Sequence, residues 1–293
     1  MTTLTSKESG RWHDLRLLLR VSRPRFWFYL AGPVLVGAAF GASSVPEFLS
    51  GTVVFMLAYF LLPANLLLYG INDVYDADID VYNPKKEDRE VVWQGNTVIT
   101  AAITIASLVG VVLFAITPTA AWPYLVGFFV LAVAYSAPPF RLKSRPFLDS
   151  LSNGLYILPG AAMYVTLAGR HLPVLVLAGA WLWTMAMHTF SAIPDIEPDR
   201  QGSIRTTATV LGQRATYAYC FVVWSSAMVL FGLVDHRLGL LFSVYPLVVA
   251  WIAVSPVGVT TAYWWFPTIN TVLGGVLTIA GLWRLQPLVG GIW

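Results

Sequence analysis

A continuous apolar stretch of roughly 20 residues is long enough to cross the hydrocarbon core of a bilayer as a helix. This sequence contains nine of them, at about 26–44, 51–71, 97–117, 121–138, 150–169, 173–193, 215–234, 238–256 and 262–283. Of its 293 residues, 57% are hydrophobic and 11% charged. That is less than half the roughly 25% charge of an ordinary soluble domain, too little to coat a water-exposed surface. The expectation is an all-α, polytopic membrane protein. Segment 26–44 reads as a retained span, because its upstream flank is polar and anchored by Arg23 and Arg25. Prolines inside spans (Pro33, Pro63, Pro159) are compatible with this, since neighbouring helices can satisfy the carbonyls they free. The single cysteine, Cys220, excludes an intrachain disulfide. There is no short-period repeat and no low-complexity segment.

Nine spans place the termini on opposite sides, and the lysines and arginines choose which. Fifteen of the 18 fall on one side, before the first span or in the loops after spans 2, 4 and 6. Only Arg170, Arg237 and Arg284 fall on the other. The N-terminus and the even-numbered loops are therefore expected in the cytoplasm, and the protein in the cell membrane. Topology also accounts for the net charge of +3, so no nucleic-acid partner is expected. The segment Arg11–Arg20 alternates Leu with Arg and Trp, as a helix lying on the membrane surface would.

Orientation asks for no acid in those loops, yet ten of the 15 carboxylates are there. One loop holds Asp73, Asp76, Asp78, Asp80, Glu87, Asp88 and Glu90; the other holds Asp195, Glu197 and Asp199. Carboxylates at the ends of apolar helices need a counter-charge, and divalent cations supply one. If span 2 continues as helix, Asn65, Tyr69, Asn72, Asp76 and Asp80 share one face, with Asp73 adjacent. Thr184, His188, Asp195 and Asp199 form a second such stripe, interrupted by Pro194 and Pro198. Oxygen donors without cysteine or a histidine pair point to Mg²⁺ rather than zinc. Mg²⁺ is commonly held by one or two carboxylates together with substrate phosphates. That gives Lys85, Lys86, Arg89, Arg141, Lys143 and Arg205 a second role as diphosphate ligands. A diphosphate so held is a good leaving group. An allylic cation left behind is stabilised by aromatic faces in a dry pocket, and Trp27, Tyr29, Tyr69, Tyr135, Tyr156 and Trp183 lie near that end of the spans.

These residues resemble a known family. Asn72-Asp73-Val-Tyr-Asp76-Ala-Asp78-Ile-Asp80 resembles the first aspartate-rich motif, N-D-x-x-D-x-x-x-D, of the UbiA-type intramembrane prenyltransferases. Asp195-Ile-Glu197-Pro-Asp199-Arg200-Gln-Gly202, then Arg205-Thr206 and Gly212, resembles their second motif, and Tyr135 to Lys143 their tyrosine/lysine segment. The resemblance implies one domain over 1–293, a partly amphipathic cytoplasmic segment 1–25, and nine helices around a central cavity. It implies Mg²⁺-dependent ionisation of a prenyl diphosphate and transfer to a lipophilic acceptor. It implies that Asn72, Asp76, Asp80, Asp195 and Asp199 hold metal and diphosphate, that Lys143 and Tyr135 contact diphosphate, and that Asp73 serves a second metal or the acceptor. Catalytic duty would fall on Asp73, Asp76, Asp195 and Tyr135; Tyr69, His188 and Trp183 would line the acceptor or the cation. Many members continue the first motif into Lys-Arg-Pro, whereas this chain reads Asn83-Pro84-Lys85-Lys86-Glu87-Asp88-Arg89, which leaves open which cation touches diphosphate. Ser22 to Trp27, Leu30 to Pro33 and Asn83 to Lys86 are similar to the lycopene elongase branch, which makes C50 carotenoids. The donor would then be dimethylallyl diphosphate, the acceptor lycopene, and the final cation would lose a proton or take up water, with His188 or Asp73 as base.

Quinone-precursor, chlorophyllide and ether-lipid prenyltransferases share that metal site and are alternatives. A cation transporter would carry ionisable groups near the bilayer midplane, where the expected spans have none. A scaffold for a partner enzyme is disfavoured by the intact acidic motifs. The motifs say nothing of a partner subunit.

Overall fold

The computed structural model describes the backbone of residues 2–80 and 95–285 and the side chains of 12–76 and 95–285. The chain begins with α1 (Thr2–Val21), α2 (Trp27–Gly41), α3 (Val45–Phe48), α4 (Gly51–Leu61) and α5 (Pro63–Asp80). After the segment 81–94 come α6 (Thr97–Ile116) and α7 (Trp122–Ser136), then α8 (Leu148–Leu151), a 3-10 segment (Ser152–Tyr156) and α9 (Leu158–Ala168). The remainder is α10 (Val174–Ser191), α11 (Ile196–Gln201), α12 (Thr207–Val234), α13 (His236–Phe242), α14 (Val244–Val254), α15 (Val259–Tyr263) and α16 (Phe266–Trp283).

Among the described residues there is no strand. Among the described residues, seven helical segments are long and apolar enough to cross a membrane: Val45–Asp76, Thr97–Ile116, Thr119–Ser136, Val174–Gln201, Thr207–Val234, His236–Val254 and Val259–Trp283. The expected spans 26–44 and 150–169 are built of shorter pieces. α2 has 15 residues and contains Pro33. Residues 150–169 are divided because Ser152–Tyr156 winds as a 3-10 helix, in which Gly154 leaves room for the Trp181 ring, before α9 restarts with Pro159 in its first turn.

Breaks inside the other spans are satisfied locally, as an apolar surround demands. Pro63 separates α4 from α5, and the Asn65 side chain donates to Phe60 O and Leu61 O at 3.0 Å each. Asn65, expected on the metal-facing stripe, is thus spent on the helix break and is fully buried. Arg284, at the end of α16, donates to Phe40 O at 2.9 Å and Ala42 O at 2.8 Å, closing the C-terminus of α2. On α1, Trp12, Leu15 and Leu19 form an exposed apolar stripe.

Among the described residues two large hydrophobic cores result, with a small third cluster of Leu67, Ile71 and Ala106 between α5 and α6. One joins α2, α4, α5, α6, α7 and α9 around Leu30, Met56, Tyr59, Phe60 and Phe128. The other joins α10, α12, α14 and α16 around Phe190, Trp224, Tyr245 and Phe266, with Trp224 and Phe266 stacked at 5.5 Å. α10 packs along α12, α2 packs along α9, and α16 packs against α2, which closes the ring. The α2–α9 contact is backbone to backbone: a Cβ on Gly37 would run into Gly160, and one on Gly160 into Pro33. Small residues at such crossings let helices approach where burial from lipid gives no hydrophobic gain. Gly160→Leu should therefore cost about 1–3 kcal/mol or more by overpacking, seen as a lower Tm in detergent. Gly51→Leu, where a Cβ meets nothing within 4 Å, should leave Tm near the wild-type value.

Candidate active site

Between the two cores lies a cavity of about 1060 Å³, with one polar end. Asn72 and Asp76 reach it from the last turns of α5; Arg141 and Lys143 reach it from the loop after α7; Asp195 reaches it from the 3-10 turn after α10 and Asp199 from α11. The two acidic stripes therefore face one space. The second stripe is not one helix: α10 stops at Ser191, Pro194 lies in a 3-10 turn, and α11 begins at Ile196. Thr184, His188, Asp195 and Asp199 nonetheless all line the cavity.

Asp76 is the electrostatic centre of the polar end. Lys143 Nζ makes a close ion pair with its Oδ2, and Arg141 Nη2 lies 3.3 Å from its Oδ1. Lys143 also donates to Asn72 Oδ1 at 3.0 Å, and Ser136 Oγ donates to the same oxygen at 3.1 Å. Arg141 can reach because its backbone is left-handed (φ 39°), which turns the chain sharply into the short 3-10 helix Leu142–Ser144.

Other expected residues fall differently. Asp73 is 1% exposed, does not itself line the cavity, and pairs at 2.9 Å with Nη2 of Arg23, which does. The same guanidinium lies 4.6 Å from the Tyr69 ring centre, so one face of that ring already carries a cation. Arg205 is exposed and lies off the cavity wall, between the lining residues Ile204 and Thr206. Trp27 donates its indole N–H to Ser22 O at 3.1 Å and does not line the cavity. Lys85, Lys86 and Arg89 and the Asp80 side chain lie outside the described residues. Tyr29, Tyr69, Tyr135, Tyr156 and Trp183 do line the cavity. The Tyr69 and Tyr156 hydroxyls are 3.4 Å apart, and the Tyr29 and Tyr156 rings meet edge to face at 6.2 Å.

Asp149 was not legible as a site residue; an acid at the edge of an apolar stretch was its only signal. It is fully buried at the N-terminus of α12, where an anion is favoured by the helix dipole. Its Oδ2 accepts from Thr207 N at 2.9 Å and its Oδ1 from the Thr207 hydroxyl. His188 Nε2 lies 3.9 Å from that carboxylate and 3.5 Å from the Tyr135 hydroxyl. Asp149 thus ties α8, the start of α12 and the cavity-facing His188 together. Removing one buried acceptor costs about 1–3 kcal/mol. Asp149→Ala should accordingly lower Tm clearly, whereas Ala at Glu197, whose side chain is 71% exposed, should not.

The donor set suits a hard cation. Asp76, Asp195 and Asp199 offer carboxylate oxygens around the cavity's polar end. Among the described residues no three His, Cys, Asp or Glu side chains close on one point. Mg²⁺ fits this pattern, because it takes one or two carboxylates and completes its shell with water and phosphate oxygens.

Comparison with known proteins agrees with this geometry. The UbiA prenyltransferase family model matches residues 30–286. A lycopene elongase/hydratase of Haloferax volcanii is 56% identical over 278 residues, covering 95% of this chain and 92% of the relative. One of Halobacterium salinarum is 53% identical, covering 92% of this chain and 98% of the relative. A UbiA homologue from Archaeoglobus fulgidus, solved with DMAPP and Mg²⁺ bound, superposes with a TM-score of 0.67 at 18% identity, covering 92% of this chain and 99% of that one. With its paired acidic stripes around one intramembrane cavity, this chain belongs to the UbiA prenyltransferase family.

Proposed function

We propose that this membrane enzyme transfers the C5 group of dimethylallyl diphosphate to an end of lycopene, in C50 carotenoid formation. The carrying observation is that one cavity gathers carboxylates and cations at one end and has mostly aromatic and aliphatic walls between there and Asp235 at the other. A charged donor and a long apolar acceptor need those two surfaces in one space. The acceptor follows from the relatives named lycopene elongase/hydratase, at 48–56% identity. The polar end faces the cytoplasm, the side that receives 15 of the 18 basic residues, and the chain acts as a single domain.

Asp76, Asp195 and Asp199, with Asn72 and Asp80, would hold Mg²⁺, which when bound stabilises charge on the departing diphosphate. Lys143 and Arg141 bind and orient the diphosphate; in the structure both sit on Asp76, 3.3 Å away in the case of Arg141. The C–O bond of the donor breaks and diphosphate leaves with the electron pair. The allylic cation then faces Tyr29, Tyr156 and Trp183, whose ring faces favour it electrostatically. The terminal double bond of the acceptor forms the new C–C bond at that cation, which moves the charge to a tertiary carbon. Water adds there and gives up a proton, or a neighbouring C–H gives one up. His188 is the base for that proton: it lines the cavity, 3.5 Å from the Tyr135 hydroxyl, whereas Asp73 is not a lining residue and its Oδ1 is occupied by the Arg23 guanidinium.

Membranes containing the protein, labelled dimethylallyl diphosphate and lycopene should form labelled product with Mg²⁺ and none with EDTA. Asp76→Ala and Asp195→Ala should abolish turnover in protein that still folds; near-normal activity in both would sink the proposed site. Label entering a quinone precursor or chlorophyllide instead would reassign the acceptor. Lys143→Ala removes a charge-assisted bond worth about 1.5–3 kcal/mol, so the KM for the donor should rise roughly tenfold or more. An unchanged KM and kcat would remove Lys143 from diphosphate binding.

A further inference from the structure

The cavity continues far beyond its polar end. Val176, Ala180, Thr184, Met187 and Ser191, three or four residues apart on one face of α10, all line it. The 18 residues of α10 rise about 27 Å at 1.5 Å each, close to the roughly 30 Å of a hydrocarbon core. α2 lines the same cavity through Phe28, Gly32, Val36 and Phe40, again over nearly its whole length. A Cβ built on Gly32 meets nothing within 4 Å, so a side chain there would protrude into open space between the two ends. The far end is formed by Leu172 and Pro173, just before α10, and by Val234 and Asp235, between α12 and α13. That end is wet: the Asp235 carboxylate is 42% exposed and accepts from Arg237 N at 2.8 Å.

From this continuity we infer that the cavity is a through-passage holding an extended acyclic polyene along the bilayer normal, its reacting end beside His188 and its other end at a distal mouth formed by Leu172, Pro173, Val234 and Asp235. The inference rests on the acceptor proposed above and adds a distal binding subsite to it. A conjugated chain is stiff and does not fold back, so a chain reacting at one end needs a straight path for its whole length. Transfer from lipid into an apolar wall gains little by hydrophobicity, since lipid is equally apolar, and selection falls to packing and length. The wet mouth has a consequence for a polyene with two equivalent ends. Once one end has been extended, and has gained a hydroxyl where water quenched the cation, it can occupy the distal mouth while the second end reacts.

Thiol labelling tests this directly, because the one native cysteine, Cys220, is fully buried. Leu172→Cys and Val234→Cys are labelled with a hydrophilic maleimide in membrane fragments open on both faces, without donor. Lycopene at ten times its dissociation constant should slow labelling about tenfold. An acyclic polyene of half its length, ending in the same terminal group, should leave the rate unchanged because it does not reach the mouth. Lycopene protecting neither cysteine, or the short polyene protecting as well as lycopene, would overturn the inference. Wild-type transfer to lycopene is measured in the same membranes. Its absence would count against the acceptor assignment, whereas transfer without protection would count against the passage alone.

Discussion

A carboxylate at the end of an apolar helix must be neutralised, because in low dielectric an unpaired charge costs far more than it does in water. Asp76 is that carboxylate here. Lys143 and Arg141 arrive from the loop after α7 to meet it, and Lys143 shares itself with Asn72 one turn earlier on α5. This one cluster fixes the end of the second span against the end of the fourth. It also concentrates cations and carboxylates at a single rim, the arrangement that a metal–diphosphate pair requires.

Asp149 does the corresponding work in the other half of the molecule. It is buried without a lysine or arginine among its recorded partners and is held by the N–H and hydroxyl of Thr207 at the start of α12. The first core and the second are thus joined near the polar end by hydrogen bonds, and along their length by the packing of α16 on α2, where a Cβ on Gly281 would run into Ala39. Because both cores are complete in themselves, the space between them need not collapse. Aromatic stacking within the second core, from Phe190 through Trp224 to Phe266, keeps that wall rigid beside α10.

Much of this was legible. The apolar stretches were there to be read, and the spacing of Asn72 and Asp76 put them on one face of α5, because residues four apart on a helix share a face; Asp195 and Asp199 reach the same cavity although α10 ends before them. The same spacing argument misplaced Asn65, since periodicity cannot tell that a side chain will be needed to satisfy carbonyls at a proline break. It also gave no warning that Asp73 would turn to Arg23. One residue of difference on a helix is about 100° of direction, and the partner lies 50 positions away. Helix length falls short of the expectation at 26–44, where α2 has 15 residues, and at 150–169, where composition describes polarity but not the 3-10 segment Ser152–Tyr156 and the restart at Pro159.

The sequence by itself determined that this chain is helical and membrane-spanning, with two acidic motifs that place it among the intramembrane prenyltransferases. Those properties depend on local composition and short-range spacing. Only the tertiary structure decided which cation meets which carboxylate, that Asp149 is buried against Thr207 and beside His188, and that α2 and α10 line one cavity along most of their length. Such features depend on residues far apart in the chain, and their positions follow from how whole helices pack, which no local pattern records.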